Sequence, residues 1–415
     1  EEDIAFLRGK GCFDEPFLDY LRSFRFTGDM WAVPEGTFVF PGEPLITVRA
    51  PAIQAQFIET YLLMIVNHES LIATKAARIT RAAKGRAVSE FGSRRAQGAD
   101  AAILGARAAF IGGCSSTACT LSDEVFGVPA GGTMAHSWVQ MFDSELDAFR
   151  TYCEIYPHNA TLLIDTYNVL DSGLPHAIAA FDEVLRPRGI TSCAIRIDSG
   201  DITYLTQKIR ARLDEAGWQT CKIVVSNSMD EYIIRELIRQ GACIDAFGVG
   251  ERLITAKSDP VFGGVYKLCA VEAPDGTIIP KIKISENVSK ITTPHFKKVY
   301  RLRGRDTGKA EADLICLHDE TVDDSQPLEI FDPQNTWKRK VLTDFTAEEL
   351  LVPVFRGGEL VYSLPTLPEI RAHFEAECDG MWEEVRRFTN PHNYYVDLSQ
   401  KLWDIKQVML NSRTH

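Results

Sequence analysis

The sequence predicts an α/β fold built on a parallel β-sheet. Between residues 86 and 250, short apolar runs typical of strands alternate with segments in which apolar residues recur three and four positions apart, as they do in helices. The clearest strand-like runs are TLLID (161–165), CAIRI (193–197), CKIVV (221–225) and IDAF (244–247). Strands this apolar are typical of a parallel sheet that is covered by helices. The pattern therefore predicts either an (α/β) barrel or a doubly wound sheet.

Two helices between these strands have readable ends. The first is predicted to begin after Asp201 and to stop at Gly217, because one face carries Ile202, Leu205, Ile209 and Leu213. The second follows Ser228, which has Glu231 three residues later in the pattern of a capping box. Both helices are expected to pack on the outer side of the sheet.

The rest of the chain is predicted to form attachments to this central domain, since a single core stops growing at roughly 250 to 300 residues. We predict an N-terminal helical and small β-rich segment over 1–85, with its upstream part missing because the chain opens at Glu1 without an initiator Met. The catalytic α/β domain is predicted over 86–264. A β-rich segment over 265–345 is expected to pack with the N-terminal part, and a mostly helical segment over 346–415 follows.

Composition excludes several classes of function. The formal net charge of −12 disfavours a nucleic-acid backbone as the main partner, although small anionic ligands remain possible in a basic pocket. No run of apolar residues is long enough to predict a membrane span. The ten cysteines contain no C-x-x-C pair, which favours free thiols in a reducing cytoplasm over disulfides or a zinc site.

Polar residues follow each predicted strand. The loops are EFGSRR (90–95), GGTMAHS (131–137), DTYN (165–168), RIDSGD (196–201), SNS (226–228) and GVG (248–250). In parallel α/β folds such loops share one rim, where the chemistry gathers. His136 on a glycine-rich loop would by itself be as consistent with an ordinary surface histidine as with a functional one. The convergence of six loops is what predicts an active site.

Two of these loops suit a phosphate group. The loops 226–228 and 248–250 carry small residues with accessible backbone amides, and the second precedes a helix-like segment. A lone G-x-G is a weak signal, so Gly248 and Gly250 could equally be turn glycines.

Charged side chains of the rim suit a sugar and a second anion. Asp165 and Asp198 offer carboxylates for sugar hydroxyls or a metal ion, although Asp198 could instead cap a helix. Arg94, Arg95 and Arg196 offer bidentate contacts to carboxylate or phosphate oxygens. Arg196 could instead pair with a carboxylate inside the sheet. The rim as a whole predicts a site for a phosphorylated sugar and a second anion.

The motifs together resemble the nicotinate phosphoribosyltransferase family. The segments that carry the resemblance are EFGSRRAQG, FGVPAGGTMAHSW, LLIDTYNVLDSG, RIDSGD, VVSNSMDE, FGVGERLIT, KISENVSKITTPHFKKVYR and NPHNYYVDLSQKLWDIK. They occur in the family's order and spacing over essentially the whole chain. The resemblance implies a type II phosphoribosyltransferase fold, which is an irregular, incomplete (α/β) barrel with flanking β-rich and helical segments, and a homodimer with a shared active site.

The resemblance also implies an activity. Nicotinate and phosphoribosyl pyrophosphate would give nicotinate mononucleotide and pyrophosphate in NAD salvage, with ATP and Mg²⁺ as cofactors and His136 as the residue that ATP phosphorylates. The implied contacts are Arg196 and Thr133 with the nicotinate carboxylate, Phe91 with the pyridine ring, Arg94 with a phosphate, Ser226, Asn227, Gly248 and Gly250 with the ribose and 5′-phosphate, and Asp165 and Asp198 with the charge that develops on the ribose.

Two departures from the family pattern are expected to matter. Glu251 stands after GVG, where the family usually has a small or hydroxyl-bearing residue, so its charge would oppose a phosphate unless it turns outward or pairs with Arg252. The family's N-terminal segment carries a Tyr that stacks on the pyridine ring, and this Tyr is expected to come from residues upstream of Glu1. Two alternatives remain: the related nicotinamide phosphoribosyltransferase, and a catalytically silent barrel that binds nucleotides without turnover.

Overall fold

The computed structural model describes residues 1–287 and 290–412, and the chain forms two compact units. Unit 1 consists of residues 1–63, 265–365 and the described residues from His373 onward. Unit 2 consists of residues 64–264 and 366–372. The motif over 283–301 includes residues 288 and 289, which lie outside the described residues.

Helices and strands are numbered along the chain. The helices are α1 (Glu2–Gly9), α2 (Glu15–Arg22), α3 (Ala52–Phe57), α4 (Glu59–Ala82), α5 (Ala99–Ile111), α6 (Thr120–Phe126), α7 (His136–Gln140), α8 (Glu145–Ile155), α9 (Leu174–Ala180), α10 (Ile202–Glu215), α11 (Glu231–Arg239), α12 (Glu251–Ile254), α13 (Leu367–Gly380) and α14 (Gln400–Asn411). The strands are β1 (Asp29–Ala32), β2 (Ile46–Arg49), β3 (Ala87–Glu90), β4 (Ser116–Thr117), β5 (Thr161–Leu163), β6 (Ala194–Ile197), β7 (Lys222–Asn227), β8 (Ala246–Val249), β9 (Ala270–Glu272), β10 (Ile278–Pro280), β11 (Lys297–Gly304), β12 (Ala310–Leu317), β13 (Leu328–Phe331), β14 (Arg339–Leu342), β15 (Phe345–Glu349), β16 (Val352–Arg356), β17 (Glu359–Leu360) and β18 (Val396–Leu398). Short 3₁₀ turns lie at Ser93–Arg95 and Arg186–Arg188, and π-helical turns at Val169–Gly173 and Phe181–Leu185.

Unit 2 contains a parallel sheet with the strand order β4-β3-β8-β7-β6-β5. The earliest of these strands in the chain, β3, pairs with the latest, β8, as happens when strands curl around an axis. Within the described residues β4 and β5 do not pair, so the sheet stays open between them. The predicted incomplete (α/β) barrel is therefore confirmed. The strand order does not agree with the alternative prediction of a doubly wound sheet.

The strands form where the apolar runs predict them, and their side chains are buried. Leu162, Ile195, Ile223 and Phe247 are each at most 1% exposed. The last strand begins two residues later than the run IDAF suggests. The carboxylate of Asp245 accepts a hydrogen bond from Ile223 N at 2.7 Å. The backbone N–H of Ile223 is thus bonded to a side chain at the point where a backbone carbonyl of a neighbouring strand would otherwise accept from it.

The two predicted helix starts differ in outcome. Asp201 caps α10 by accepting a hydrogen bond from Tyr204 N at 3.0 Å, as the pattern predicts. The capping box on Ser228 is wrong, because Asp230 caps α11 and accepts hydrogen bonds from the first turn of that helix. Glu231 is instead fully buried and pairs with Lys75 Nζ at 2.6 Å. A buried cation from α4 thus determines the role of this carboxylate.

Unit 1 is rich in β-structure. One antiparallel sheet has the order β17-β16-β1-β2, and another has the order β15-β11-β12-β18, in which only β12 and β18 run parallel within the described residues. The second sheet contains fully buried Arg301, which donates to both carboxylate oxygens of Asp313 at 2.9 and 2.7 Å and to Glu377 at 2.7 Å. Paired charges of this kind avoid the cost of an isolated buried ion.

Among the residues that the structure describes, no helix is both long and apolar enough to span a bilayer.

Candidate active site

The predicted site residues belong to unit 2, at the carboxyl ends of its parallel strands. Phe91 follows β3, Asp165 follows β5, Asp198 follows β6, Ser226 and Asn227 end β7, and Gly250 follows β8. Parallel strands place these ends on one edge of the sheet. The sequence prediction that the loops share one rim is thus realised by the fold, and most of the side chains touch one another.

Arg196, which points from β6 into this edge, lies at the centre of the cluster. Its Nε donates to Ser226 Oγ at 2.7 Å and its Nη1 donates to Thr133 Oγ1 at 2.8 Å. The guanidinium carbon lies 5.6 Å from the centre of the Phe91 ring, and Nη2 is 3.9 Å from Asp198 Oδ2. These two hydrogen bonds use two donors of a group that has about five, so further N–H donors are available to an anion.

Burial changes the electrostatics of this arginine. The Arg196 side chain is only 16% exposed, and burial lowers its pKa, while the carboxylates of Asp198 and Asp165 act in the opposite direction. A guanidinium nevertheless stays protonated in proteins. A desolvated cation whose nearest carboxylate is 3.9 Å away is well suited to bind the carboxylate of a ligand.

Asp165 and Asp198 form a linked pair of carboxylates. Asp165 Oδ2 accepts hydrogen bonds from Asp198 N at 2.8 Å and from the Ser199 hydroxyl at 2.6 Å. Asp198 Oδ1 accepts a hydrogen bond from the Ser226 hydroxyl at 2.9 Å. Asp165 Oδ1 is buried without a hydrogen-bond partner among the described residues. Such an oxygen costs free energy unless a ligand hydroxyl or a cation meets it.

This pair fits a magnesium ion that a substrate brings with it. Mg²⁺ is commonly held by one or two carboxylates together with substrate phosphates and water. Asp165 Oδ1 and Asp198 Oδ2 are oxygen donors of this kind, and both lie 3.9 Å from His136 Nε2. Among the described residues no cluster of three or more metal-binding side chains is present, and two carboxylates leave the other positions of such an ion to substrate oxygens and water.

His136 is the first residue of α7 and lies beside the two carboxylates. Its Nδ1 hydrogen-bonds with Thr166 Oγ1 at 3.1 Å, and its Nε2 is 3.9 Å from both Asp165 Oδ1 and Asp198 Oδ2. The side chain is 41% exposed. An oriented, accessible imidazole can act as a nucleophile toward a phosphoryl group.

Gly248 makes room for the Phe91 ring. A Cβ atom at this position would lie 2.6 and 2.7 Å from two carbons of that ring, which is closer than non-bonded carbon atoms approach one another. The ring can therefore lie against β8 only because residue 248 has no side chain. This packing role adds to the predicted role of Gly248 near the ribose phosphate, which stays a prediction.

We expect Gly248→Ala to weaken binding of nicotinate, the ligand that the resemblance implies, and to lower stability by about 1 to 3 kcal/mol, because overpacking would displace the Phe91 ring. Isothermal titration with nicotinate and thermal unfolding would measure the two effects. Gly9→Ala is the matched control, since a Cβ at Gly9 meets nothing within 4 Å. An alanine variant at 248 that binds nicotinate as the unchanged protein does would show that Phe91 has no part in the site.

The backbone is unusual at two further predicted positions. Asn227 has φ of 128°, a region that non-glycine residues rarely occupy, and its carbonyl accepts a hydrogen bond from Met229 N at 2.7 Å. Strained residues of this kind cluster at functional sites. A Cβ at Gly250 would lie 3.0 Å from the carbonyl oxygen of Phe91, so glycine there permits two loops to approach closely.

The outer rim is basic and exposed. Arg94 is exposed on the 3₁₀ turn Ser93–Arg95, and its charge contributes to lowering the pKa of Arg196. Glu251 does not form an ion pair with Arg252, which was one of the two arrangements that would keep its charge from opposing a phosphate. Glu251 instead pairs with Lys257 Nζ at 2.8 Å, whereas Arg252 pairs with the Asp230 carboxylate. The ion pair with Lys257 lowers the pKa of Glu251 and offsets its charge.

Sequence reasoning missed several side chains of the site. Thr166 and Ser199 lie inside loops that the sequence singled out, but nothing in the pattern assigned them a partner. Glu90 and Thr117 are fully buried at the ends of β3 and β4. Glu90 is the first residue of the loop 90–95 that the sequence singled out, but nothing in the pattern assigned it a partner. Thr117 gave no signal, since β4 is two polar residues long.

Comparisons with known proteins cover almost the whole chain. The sequence model of the nicotinate phosphoribosyltransferase N-terminal domain matches residues 1–67, and that of the C-terminal domain matches residues 296–406. The chain is 43% identical over 406 residues to the nicotinate phosphoribosyltransferase of Bacillus subtilis strain 168, covering 98% of this chain and 82% of that protein. It is 36% identical over 404 residues to a nicotinate phosphoribosyltransferase of Mycobacterium tuberculosis, covering 97% of this chain and 80% of that one.

A solved structure shows the same architecture. The crystal structure of human nicotinic acid phosphoribosyltransferase superposes with a TM-score of 0.81 at 28% sequence identity, and the match covers 99% of this chain and 88% of the human one.

Proposed function

Since this chain belongs to the nicotinate phosphoribosyltransferase family, we propose that the cluster around Arg196 binds nicotinate beside phosphoribosyl pyrophosphate and that His136 couples the reaction to ATP. The activity is nicotinate phosphoribosyltransferase, which converts nicotinate and phosphoribosyl pyrophosphate into nicotinate mononucleotide and pyrophosphate, the first step of NAD salvage from nicotinate. The arginine carries the proposal for the site. It is the group in the cluster that is desolvated, cationic and still has donors for a carboxylate.

The pyridine substrate is proposed to lie over Phe91. The Arg196 guanidinium and the Thr133 hydroxyl, which are hydrogen-bonded at 2.8 Å, would both contact the carboxylate of nicotinate. The Phe91 ring, 5.6 Å from the guanidinium carbon, would provide one aromatic face for the pyridine. Nicotinamide lacks the negative charge that this arrangement favours.

The transfer step is a displacement at the anomeric carbon. The ring nitrogen of nicotinate forms a bond to C1 of the ribose, the bond from C1 to the pyrophosphate oxygen breaks, and pyrophosphate leaves with the electron pair. Positive charge develops on the ribose, and the carboxylates of Asp165 and Asp198 are placed to stabilise it. When bound, Mg²⁺ held by these carboxylates and the pyrophosphate would neutralise charge on the leaving group. Ser226, Asn227 and Gly250 are proposed to hold the ribose 5-phosphate.

ATP is proposed to act through a phosphohistidine at residue 136. A ring nitrogen attacks the γ-phosphorus of ATP, the bond from that phosphorus to the bridging oxygen breaks, and ADP leaves. Water later attacks the phosphorus, the phosphorus–nitrogen bond breaks, and phosphate is released. The position of His136 Nε2, 3.9 Å from both Asp165 and Asp198, supports a coupling of this step to substrate binding.

The protein is further proposed to be a cytoplasmic homodimer with shared active sites. Free thiols, which include the buried Cys114 and Cys221, are consistent with a reducing compartment. Phe91 would cover one face of the pyridine ring. An aromatic side chain from a partner subunit would cover the opposite face and shield it from water, and this stacking contact is worth about 1 kcal/mol.

Complementation between subunits tests the shared site. We expect a mixture of Arg196→Ala chains with full-length chains that lack the family's stacking Tyr to regain activity, because the heterodimer would contain one intact site. The measurement is turnover at low nicotinate concentration after demonstrated subunit exchange. A mixture of Arg196→Ala with Asp198→Asn is the control, since both changes lie in the barrel and leave no intact site. Activity equal to the sum of the separate variants would contradict the shared site.

Two measurements, one of binding and one of turnover, distinguish this function from the alternatives. Thermal unfolding in the presence of phosphoribosyl pyrophosphate and nicotinate reports binding, since a ligand that binds the folded state raises the melting temperature. Turnover with nicotinate and with nicotinamide then reports chemistry. Binding without turnover would identify a silent barrel, and faster turnover of nicotinamide would identify the related amide enzyme.

A further inference from the structure

The two loops that flank Arg196 come from separate parts of the chain. Phe91 lies directly after β3, and Thr133 lies in the loop that precedes α7. Both residues lie against the guanidinium of Arg196. Its central carbon is 5.6 Å from the centre of the Phe91 ring, and its Nη1 is 2.8 Å from Thr133 Oγ1. The space between them, where the pyridine ring is proposed to bind, therefore depends on how these two loops are held together.

A buried carboxylate joins the two loops. Glu90 is completely buried, and one of its oxygens accepts a hydrogen bond from Gly92 N, in the loop of Phe91. Its other oxygen accepts a hydrogen bond from Thr117 Oγ1 at 2.7 Å. Thr117 in turn is bonded through its backbone to the start of the second loop, with Thr117 N donating to Pro129 O at 2.9 Å and Gly131 N donating to Thr117 O at 2.8 Å.

Pairing of the two strands does not itself require a carboxylate here. One residue earlier, the hydroxyls of Ser89 and Ser116 share a hydrogen bond of 2.8 Å across the same two strands. Burial raises the pKa of Glu90, because a desolvated carboxylate is disfavoured, and the hydrogen bonds from Thr117 and Gly92 act in the opposite direction. An acidic group at a position where uncharged residues would join the strands at lower cost suggests a role beyond stability.

We propose that Glu90 and Thr117 are positioning residues that set the separation of Phe91 and Thr133 on either side of Arg196, and thereby the affinity for the pyridine substrate. They touch no substrate and act through the two loops. The inference rests on the proposed function of the Arg196 site and adds the residues that determine its width. Glu90 itself pairs with Val249 of β8, whereas Thr117 lies in β4, on the side of β3 away from β8. The Thr117 hydroxyl is therefore the member of the pair that is separate from the strands proposed to hold the ribose and phosphate.

Three variants test the proposal through separate kinetic constants. Thr117→Val keeps the shape of the side chain and removes the hydroxyl, so KM for nicotinate is expected to rise about tenfold or more while KM for phosphoribosyl pyrophosphate stays nearly unchanged. Thr117→Ser keeps the hydroxyl and is expected to behave as the unchanged protein does. Ser116→Ala removes the neighbouring hydrogen bond between the same strands and is expected to leave both constants unchanged.

The outcomes separate this role from a structural one. A rise in both KM values, or a lower melting temperature with unaltered KM values, would overturn the proposal. If Thr117→Val fails to fold, Thr117→Ala replaces it, because alanine also removes the hydroxyl that donates to Glu90 and adds no branched side chain. Isothermal titration with nicotinate gives the same comparison without turnover. An unchanged protein that makes no nicotinate mononucleotide would refute the proposed function itself, whereas an active one with no effect of either variant would refute only the positioning role.

Discussion

Arg196→Ala is expected to raise KM for nicotinate by roughly 30-fold to several thousand-fold, since truncating one partner of a buried charge pair costs about 2 to 5 kcal/mol. The arginine is 16% exposed, lies over Phe91 and bonds to Thr133 and Ser226. The nicotinate carboxylate would therefore lose a charged partner that is itself largely buried. Steady-state kinetics with each substrate varied in turn measure the effect.

Two controls define the cause of that effect. Arg196→Lys keeps the charge but loses the planar fork of donors, so it is expected to restore only part of the affinity. Arg210→Ala removes another partly buried arginine of the same unit, one that donates to the carbonyls of Cys221 and Trp218, and is expected to leave KM for nicotinate unchanged. An equal rise of KM for nicotinate and for phosphoribosyl pyrophosphate in Arg196→Ala would mean that the arginine supports the fold of the edge as a whole.

His136→Ala is expected to abolish ATP hydrolysis coupled to transfer while leaving a basal rate of nicotinate mononucleotide formation. Removal of a nucleophile commonly lowers its reaction by on the order of 1000-fold or more. In the proposed mechanism the transfer depends on Arg196, Asp165 and Asp198, whose described contacts to one another do not involve the imidazole. The measurement is ADP and nicotinate mononucleotide formed in the same reaction, with and without ATP.

The matched control is a second histidine of the same unit. His176 is 39% exposed, close to the 41% of His136, and hydrogen-bonds with Glu145 at 3.0 Å. His176→Ala is expected to hydrolyse ATP in step with product formation. If His136→Ala did so as well, with ATP still stimulating the transfer, residue 136 would not be the phosphorylated residue.

The helices and strands that could be predicted are those marked by a pattern of neighbouring residues in the sequence. Apolar runs over 161–165 and 193–197 became β5 and β6, and Asp201 caps α10 as its position indicates. The strand β4 could not be predicted, because it consists of Ser116 and Thr117 and owes its existence to pairing with β3. A strand without apolar residues leaves no periodic pattern to detect.

The proximity of the candidate site residues was predictable from the sequence, and their individual contacts were less so. Loops at the ends of parallel strands must share an edge, so the sequence pattern suffices to place Asp165, Arg196 and Asp198 together. The role of Glu231 could not be predicted, because its partner Lys75 lies 156 positions away in the sequence. The same holds for Glu90, whose bond to Thr117 spans 27 positions. Contacts between distant residues arise from packing and leave no local pattern in the sequence.

Mass-spectrometric detection of nicotinate mononucleotide tests the central claim most directly. The full-length protein is incubated with nicotinate, phosphoribosyl pyrophosphate, Mg²⁺ and ATP, in parallel with the Arg196→Ala protein and with nicotinamide in place of nicotinate. We expect nicotinate mononucleotide and pyrophosphate in equal amounts from the unchanged protein, much less from Arg196→Ala at low nicotinate, and little product from nicotinamide. Absence of nicotinate mononucleotide from the folded, full-length protein, or equal product from the Arg196→Ala protein at low nicotinate, would contradict the assignment of this site.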